Sequence, residues 1–73
     1  MPKLGVFSGK EVCQILAAEG FAQVRQRGSH IIMQRKHAGA TTTIPIPNHR
    51  TLRIGTLQAI IRQSGVAKEK FLR

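Results

Sequence analysis

Acidic side chains are almost absent from this chain: 3 Asp plus Glu stand against 12 Lys plus Arg, a formal charge of +9 in 73 residues. The three are Glu11, Glu19 and Glu69, and the first two belong to one predicted helix, so the carboxylate set of a two-metal nuclease is poorly provided. Cysteine occurs once, as Cys13, which forms no internal disulfide and sits in an apolar helical pattern that reads as packing. Together with His30, His37 and His49 it makes no zinc-ligand spacing, so neither a metal nor another cofactor is expected. With no Trp, no Tyr and only 3 Phe, the core must be mainly aliphatic, and an aromatic platform for stacking single-stranded bases is not expected. Long apolar runs are missing too. No stretch approaches the ~18 residues of a membrane span, and Met1 to Phe7 lacks the apolar centre of a signal peptide, so the expectation is a cytoplasmic protein with no membrane partner.

What is there in excess is positive charge. At this density it creates a surface potential that favours polyanions, nucleic acid first among them. The Lys and Arg residues are spread along the chain without a block of like charges, which argues for a folded binding face over a disordered tail. A hydrophobic fraction of 41% supports folding. Residues 1–73 are expected to make a single small domain, in which every apolar stripe is needed for the core.

Ser8 can cap a first helix over about Ser8 to Glu19, with Glu11 completing a capping box, Phe7 stapling onto Val12, and Gly20 ending it. Val12, Ile15 and Leu16 give its apolar stripe. Phe21 to Arg27 reads as a strand with Phe21 and Val24 toward the core; their odd spacing predicts a bulge. His30 to Lys36 is a second strand, with Ile31 and Met33 on one face and His30, Ile32 and Gln34 on the other. His37 to Ala40 is a turn, and Thr41 to Ile46 is a third strand whose Pro45 marks it as an edge. A loop from Pro47 to Ile54 leads into a helix beginning at Gly55-Thr56, with Leu57, Ile60 and Ile61 at helical spacing and a glycine stop at Gly65. Ala67 to Leu72 can form a last short helix.

The order α-β-β-β-α predicts an α+β fold, a three-stranded antiparallel sheet with both helices on one face and the other face open. It is also the order of double-stranded RNA-binding domains, which read A-form shape with basic side chains. The chemistry-bearing stretch is Gly28-Ser29-His30, a tight turn that sets an imidazole at the start of a strand. Arg25, Arg27, Arg35 and Lys36 are the nearby cations and the candidate RNA contacts, together with Gly28 and Ser29. A lone histidine is usually structural; beside cations, an imidazole with reference pKa near 6.5 suits proton transfer at a phosphodiester. His49 reads more readily as a loop residue bonded locally.

Gly20-Phe21, Val24-Arg25, Gly28-Ser29-His30, Ile44-Pro45, Gly55-Thr56-Leu57 and Ile60 to Gly65, taken together, resemble the HicA (YcfA-like) toxins of bacterial toxin–antitoxin pairs over about Ser8 to Leu72. The resemblance implies a double-stranded RNA-binding-like fold, an mRNA-cleaving ribonuclease with His30 as its catalytic imidazole, and neutralisation by a HicB-like antitoxin. Two departures stand out: Phe21 where the family often has Trp, and Ile31-Ile32-Met33 where a more polar mixture is expected. The second leaves open whether RNA, a partner strand or a second copy in a homo-oligomer covers the open face. Two other readings of the residues stay open: a non-catalytic RNA-binding module, and an interaction protein whose sheet edge recruits another chain.

Overall fold

Ser8 decides where the first helix starts. Its Oγ accepts the Glu11 backbone N–H at 3.1 Å while its own N–H donates to Glu11 Oε1 at 2.9 Å, the reciprocal pair expected of a capping box. In the computed structural model, which describes residues 3–72, this box opens α1 (Gly9–Ala18). Gly20 ends it at φ +96°, a conformation that costs a residue without Cβ little. The chain then runs through β1 (Ala22–Arg27), β2 (His30–His37), β3 (Ala40–Pro47) and α2 (Ile54–Ser64) to a 3-10 turn over Lys68–Phe71. Gly65, at φ +71°, stops α2 and donates to the Ile61 carbonyl at 3.2 Å.

The three strands pair antiparallel in the order β1-β2-β3, which places β1 and β3 at the edges as sequence neighbours of β2. Alternation along β2 sends Ile31 and Met33 to the helix side, where they meet Ile44 and Ile46 of β3, Val12 and Leu16 of α1, and Leu57 and Ile60 of α2 in one core. Both helices therefore cover the same face. Phe7 closes the core edge-on to Phe71, ring centroids 6.1 Å apart, and beside them Leu4 bridges to Leu72.

Val24 departs from expectation. The register between β1 and β2 shifts between Gln23 and Arg25, so Val24 is the extra residue of the predicted bulge and has no partner on β2. It is 49% exposed, and Phe21, just ahead of the strand, takes the buried place alone at 3%. Val24 is not a core residue.

Gly9 determines how α1 meets the sheet. A Cβ on it would run into the Pro47 carbonyl oxygen, so the helix start lies directly against the end of β3. Two backbone bonds hold the same corner, Gly9 N–H to the His49 carbonyl at 2.9 Å and Leu52 N–H to the Phe7 carbonyl at 2.8 Å. His49 is an exposed loop residue whose backbone carbonyl is tied to Gly9, forty positions away, and not to a local partner.

Candidate active site

Two residues, Gly28 and Ser29, join β1 to β2, with Arg27 and His30 as the closing pair. Gly28 carries φ +57° and Ser29 does not share the positive sign, the pattern of a type II′ hairpin. Nothing within 4 Å would obstruct a Cβ at Gly28, so it is the backbone angle that calls for glycine there. The turn is anchored from outside: Asn48 N–H donates to the Ser29 carbonyl at 2.6 Å, and Gln26 Nε2 donates to the Gly28 carbonyl at 3.2 Å. Because Asn48 follows Pro47, the residue opposite His30, the end of β3 fixes the turn that carries the imidazole.

Strand pairing decides what surrounds His30. Residues directly opposite one another share a face, so Arg27 and Pro47 flank His30 while Arg25 and Pro45 flank Ile32 on the side away from the helices. Arg27, His30, Ile32 and Pro45 line an open depression of about 500 Å³. His30, Arg25 and Arg27 are exposed, and among the described residues none of their side chains has a hydrogen-bond or ion-pair partner. The carboxylates lie elsewhere: Glu11 in the α1 capping box, Glu19 at the end of α1, 3.8 Å from Lys70 Nζ, and Glu69 in the 3-10 turn. The open face is thus cationic and free of acid among the described residues, where no three of His, Cys, Asp or Glu gather to hold a metal ion.

Two expected members are not brought to His30. Arg35 has the odd parity of Ile31 and Met33 and turns to the helix side, where Nη1 donates to the Glu19 carbonyl at 3.1 Å and Nη2 to the Ser64 carbonyl at 2.9 Å. Its guanidinium also lies 4.6 Å above the Phe21 ring centroid, so this cation ties the two helix ends together and does not stand beside the imidazole. Lys36 shares the open face with His30 but pairs with Thr41 near the other end of β2, six residues away, or ~20 Å along a strand. Arg25, Arg27, Gly28, Ser29 and His30 are the expected residues that do converge.

Ile32 and Pro45 belong to the depression although sequence reasoning gave them no role there. The signal was available: Ala38 and Gly39 make a two-residue turn, and such a turn fixes the register that sets Pro45 opposite Ile32. The Ile31-Ile32-Met33 run resolves in the same way, since Ile31 and Met33 are core and only Ile32 faces outward.

The sheet edges oppose strand addition. A proline cannot complete a doubly bonded cross-strand pair, so positions 45 and 47 turn their backbone toward the free edge of β3, where each lacks an N–H. At the other edge β1 carries the bulge together with exposed Arg25 and Arg27. A second depression, about 390 Å³ between α1 and β1, is bordered by Cys13, Gln23 and Met33 and contains no imidazole. No helix among the described residues is long and apolar enough to cross a membrane.

A family model described as HicA toxin of bacterial toxin-antitoxin matches residues 9–66. That span begins at the first residue of α1 and takes in the whole sheet, the Gly28-Ser29 turn and α2. No curated protein and no solved structure matches the chain.

Proposed function

The chain belongs to the HicA family, toxins of bacterial toxin–antitoxin systems, and on that premise we propose that it is an endoribonuclease cutting mRNA at His30. The observation that carries this reading is the placement of an exposed imidazole on a glycine turn, paired across the strand with Arg27, on a face without carboxylates among the described residues.

Such a face suits transfer within the RNA itself. The 2′-oxygen bonds to the adjacent phosphorus as the bond from phosphorus to the 5′-oxygen breaks, leaving a 2′,3′-cyclic phosphate and a 5′-hydroxyl. Neutral His30 takes the proton of the 2′-hydroxyl, or its protonated form supplies one to the departing 5′-oxygen; water serves the other side. Arg27 stabilises the charge that builds on the phosphoryl oxygens. Proton transfer by a placed imidazole is worth about 10²- to 10⁴-fold.

The partner in this reading is a HicB-like antitoxin that offers acidic groups to the same face and so denies it to RNA. The formal charge of +9 supplies the long-range attraction.

A second reading, a non-catalytic RNA-binding module, is favoured by one observation: no second histidine and no carboxylate joins His30 among the residues lining the depression. Incubation of the purified chain with long mixed-sequence RNA in EDTA, beside a His30→Ala variant, separates the two. Cleavage by the parent and at least a hundredfold loss in the variant supports the nuclease; RNA retarded but uncut by both supports the binding module.

A further inference from the structure

We propose that the Ile32–Pro45 pair is a seat for one unpaired nucleobase next to the scissile phosphate, which makes the substrate single-stranded RNA; this rests on the nuclease reading of His30. Three features of the depression lead there.

The first is an apolar surface where the fold does not need one. Ile32 faces away from the core and is only 8% exposed, with Arg25 and Pro45 opposite it on the two flanking strands. Pro45 on one side is itself exposed. Its ring, opposite Ile32 and in the same lining, is the exposed hydrocarbon we take as the plate of the seat. Proline and isoleucine are among the side chains that proteins set against base faces in place of aromatic rings. This chain has no Trp or Tyr and its three Phe are buried, so a plate of this kind is the stacking surface open to it.

The second is charge complementarity at the right separation. Arg27 and His30 border the same depression and Arg25 stands opposite Ile32. His30 and Ile32 are two residues apart on one strand face, ~6.6 Å, about the reach from a phosphate across its sugar to the base. An apolar plate with cations at that separation matches a nucleotide, whose base and phosphate stand one sugar apart in every unit.

The third is volume. The depression is about 500 Å³, within the ~300–1,000 Å³ of small-molecule sites and open enough for a chain to enter and leave. A base held inside an intact stack presents only its edges, so a duplex must be unstacked, at a free-energy cost for each step, before a face can lie on the plate. The fold order shared with duplex-binding domains therefore does not set the substrate of this face.

The test uses the full chain and a fluorescent RNA oligonucleotide with one cleavage site. The oligonucleotide is offered single-stranded, annealed to its complement, and with an abasic nucleotide on either side of the cut. The parent is expected to cut the single strand at least tenfold faster than the duplex. One of the two abasic substitutions is expected to slow cutting about tenfold, mainly through KM. Pro45→Ser and Ile32→Thr should slow the intact strand by a similar factor while leaving the abasic strand at the parent's rate. Circular dichroism melts identify which variant keeps the fold, and either one alone suffices. Equal cutting of single strand and duplex, or variants that slow intact and abasic strands alike, would overturn the seat while leaving the nuclease in place. If the parent cuts none of these RNAs, the nuclease reading falls first and the seat with it. Variants that cut like the parent but convert a dimer to a monomer in sedimentation would overturn the proposal and assign the plate to a second copy.

Discussion

Arg35 holds its guanidinium 4.6 Å above the ring centroid of Phe21 while its two terminal nitrogens take the Glu19 and Ser64 carbonyls. One side chain from the middle strand thus satisfies acceptors at the ends of both helices, where a positive charge also opposes the aligned peptide dipoles. Arg35→Ala is expected to lose ~2–4 kcal/mol of stability, from two charge-assisted bonds and a cation–π contact. Arg35→Lys should recover less than half, since a single ammonium cannot span both carbonyls. Urea unfolding checks both; a change within ~0.5 kcal/mol, normal for a surface cation, would contradict the tie.

Arg27 and Lys36 share a face but not a neighbourhood. On the proposed ribonuclease reading, in cleavage assays at ~0.15 M salt, where screening acts over ~8 Å, Arg27→Ala should cost at least ~10-fold in rate, as loss of a charge donor at a reacting phosphate does. Lys36→Ala, ~20 Å away along β2, should stay within about twofold, the range of a screened surface charge. Comparable losses in both would mean that overall charge, not placement, is what matters.

Gly9 shows a conflict between propensity and packing. Alanine at the first turn of a helix would ordinarily help by up to ~1 kcal/mol. Here its Cβ would enter the Pro47 carbonyl oxygen, so α1 must move from the end of β3. Gly9→Ala is expected to be destabilising overall by ~1–2 kcal/mol, read as a lower urea midpoint.

Ala38, at φ +51°, is the one non-glycine residue of positive φ among those described. It sits with Gly39 in the β2–β3 turn, where two positive φ values mark a type I′ pattern that favours Asn-Gly. Ala38→Asn should therefore stabilise by about 0.5–1 kcal/mol, or roughly 3–6 °C in Tm, leaving cleavage unchanged because the turn lies at the far end of the sheet from His30.

Burial pushes the Cys13 thiol above its ordinary value of 9.0. The neutral thiol is favoured in the folded chain, so its contribution to stability is fully present below the unfolded value and is lost as pH rises through the folded one. Iodoacetamide should accordingly alkylate the native protein more slowly than the urea-unfolded chain at pH 9, measured by mass. Equal rates would show that the thiolate forms as readily in the fold.

Much of this architecture is legible in local chemistry. Ser8 and Glu11 announce the first helix and Gly65 the end of the second, because caps depend on residues within a turn of one another. The bulge is visible in the spacing of Phe21 and Val24, but which of the two stays buried is not, since that depends on the partner strand. Arg35 and Lys36 are adjacent in sequence and look equivalent; strand parity separates them, sending one under the helices and the other to the open face. Ile32 and Pro45 are thirteen positions apart and meet only through register, which the Ala38-Gly39 turn encodes for a reader who commits to its length.

The strands pair only with their neighbours in sequence, through turns of two residues. Each ladder can therefore close with very little chain entropy lost in loops, and the hairpin carrying His30 has no distant segment to wait for except Asn48. Assembly of that hairpin is then a local event, limited by the speed of zipping and not by a search for distant segments.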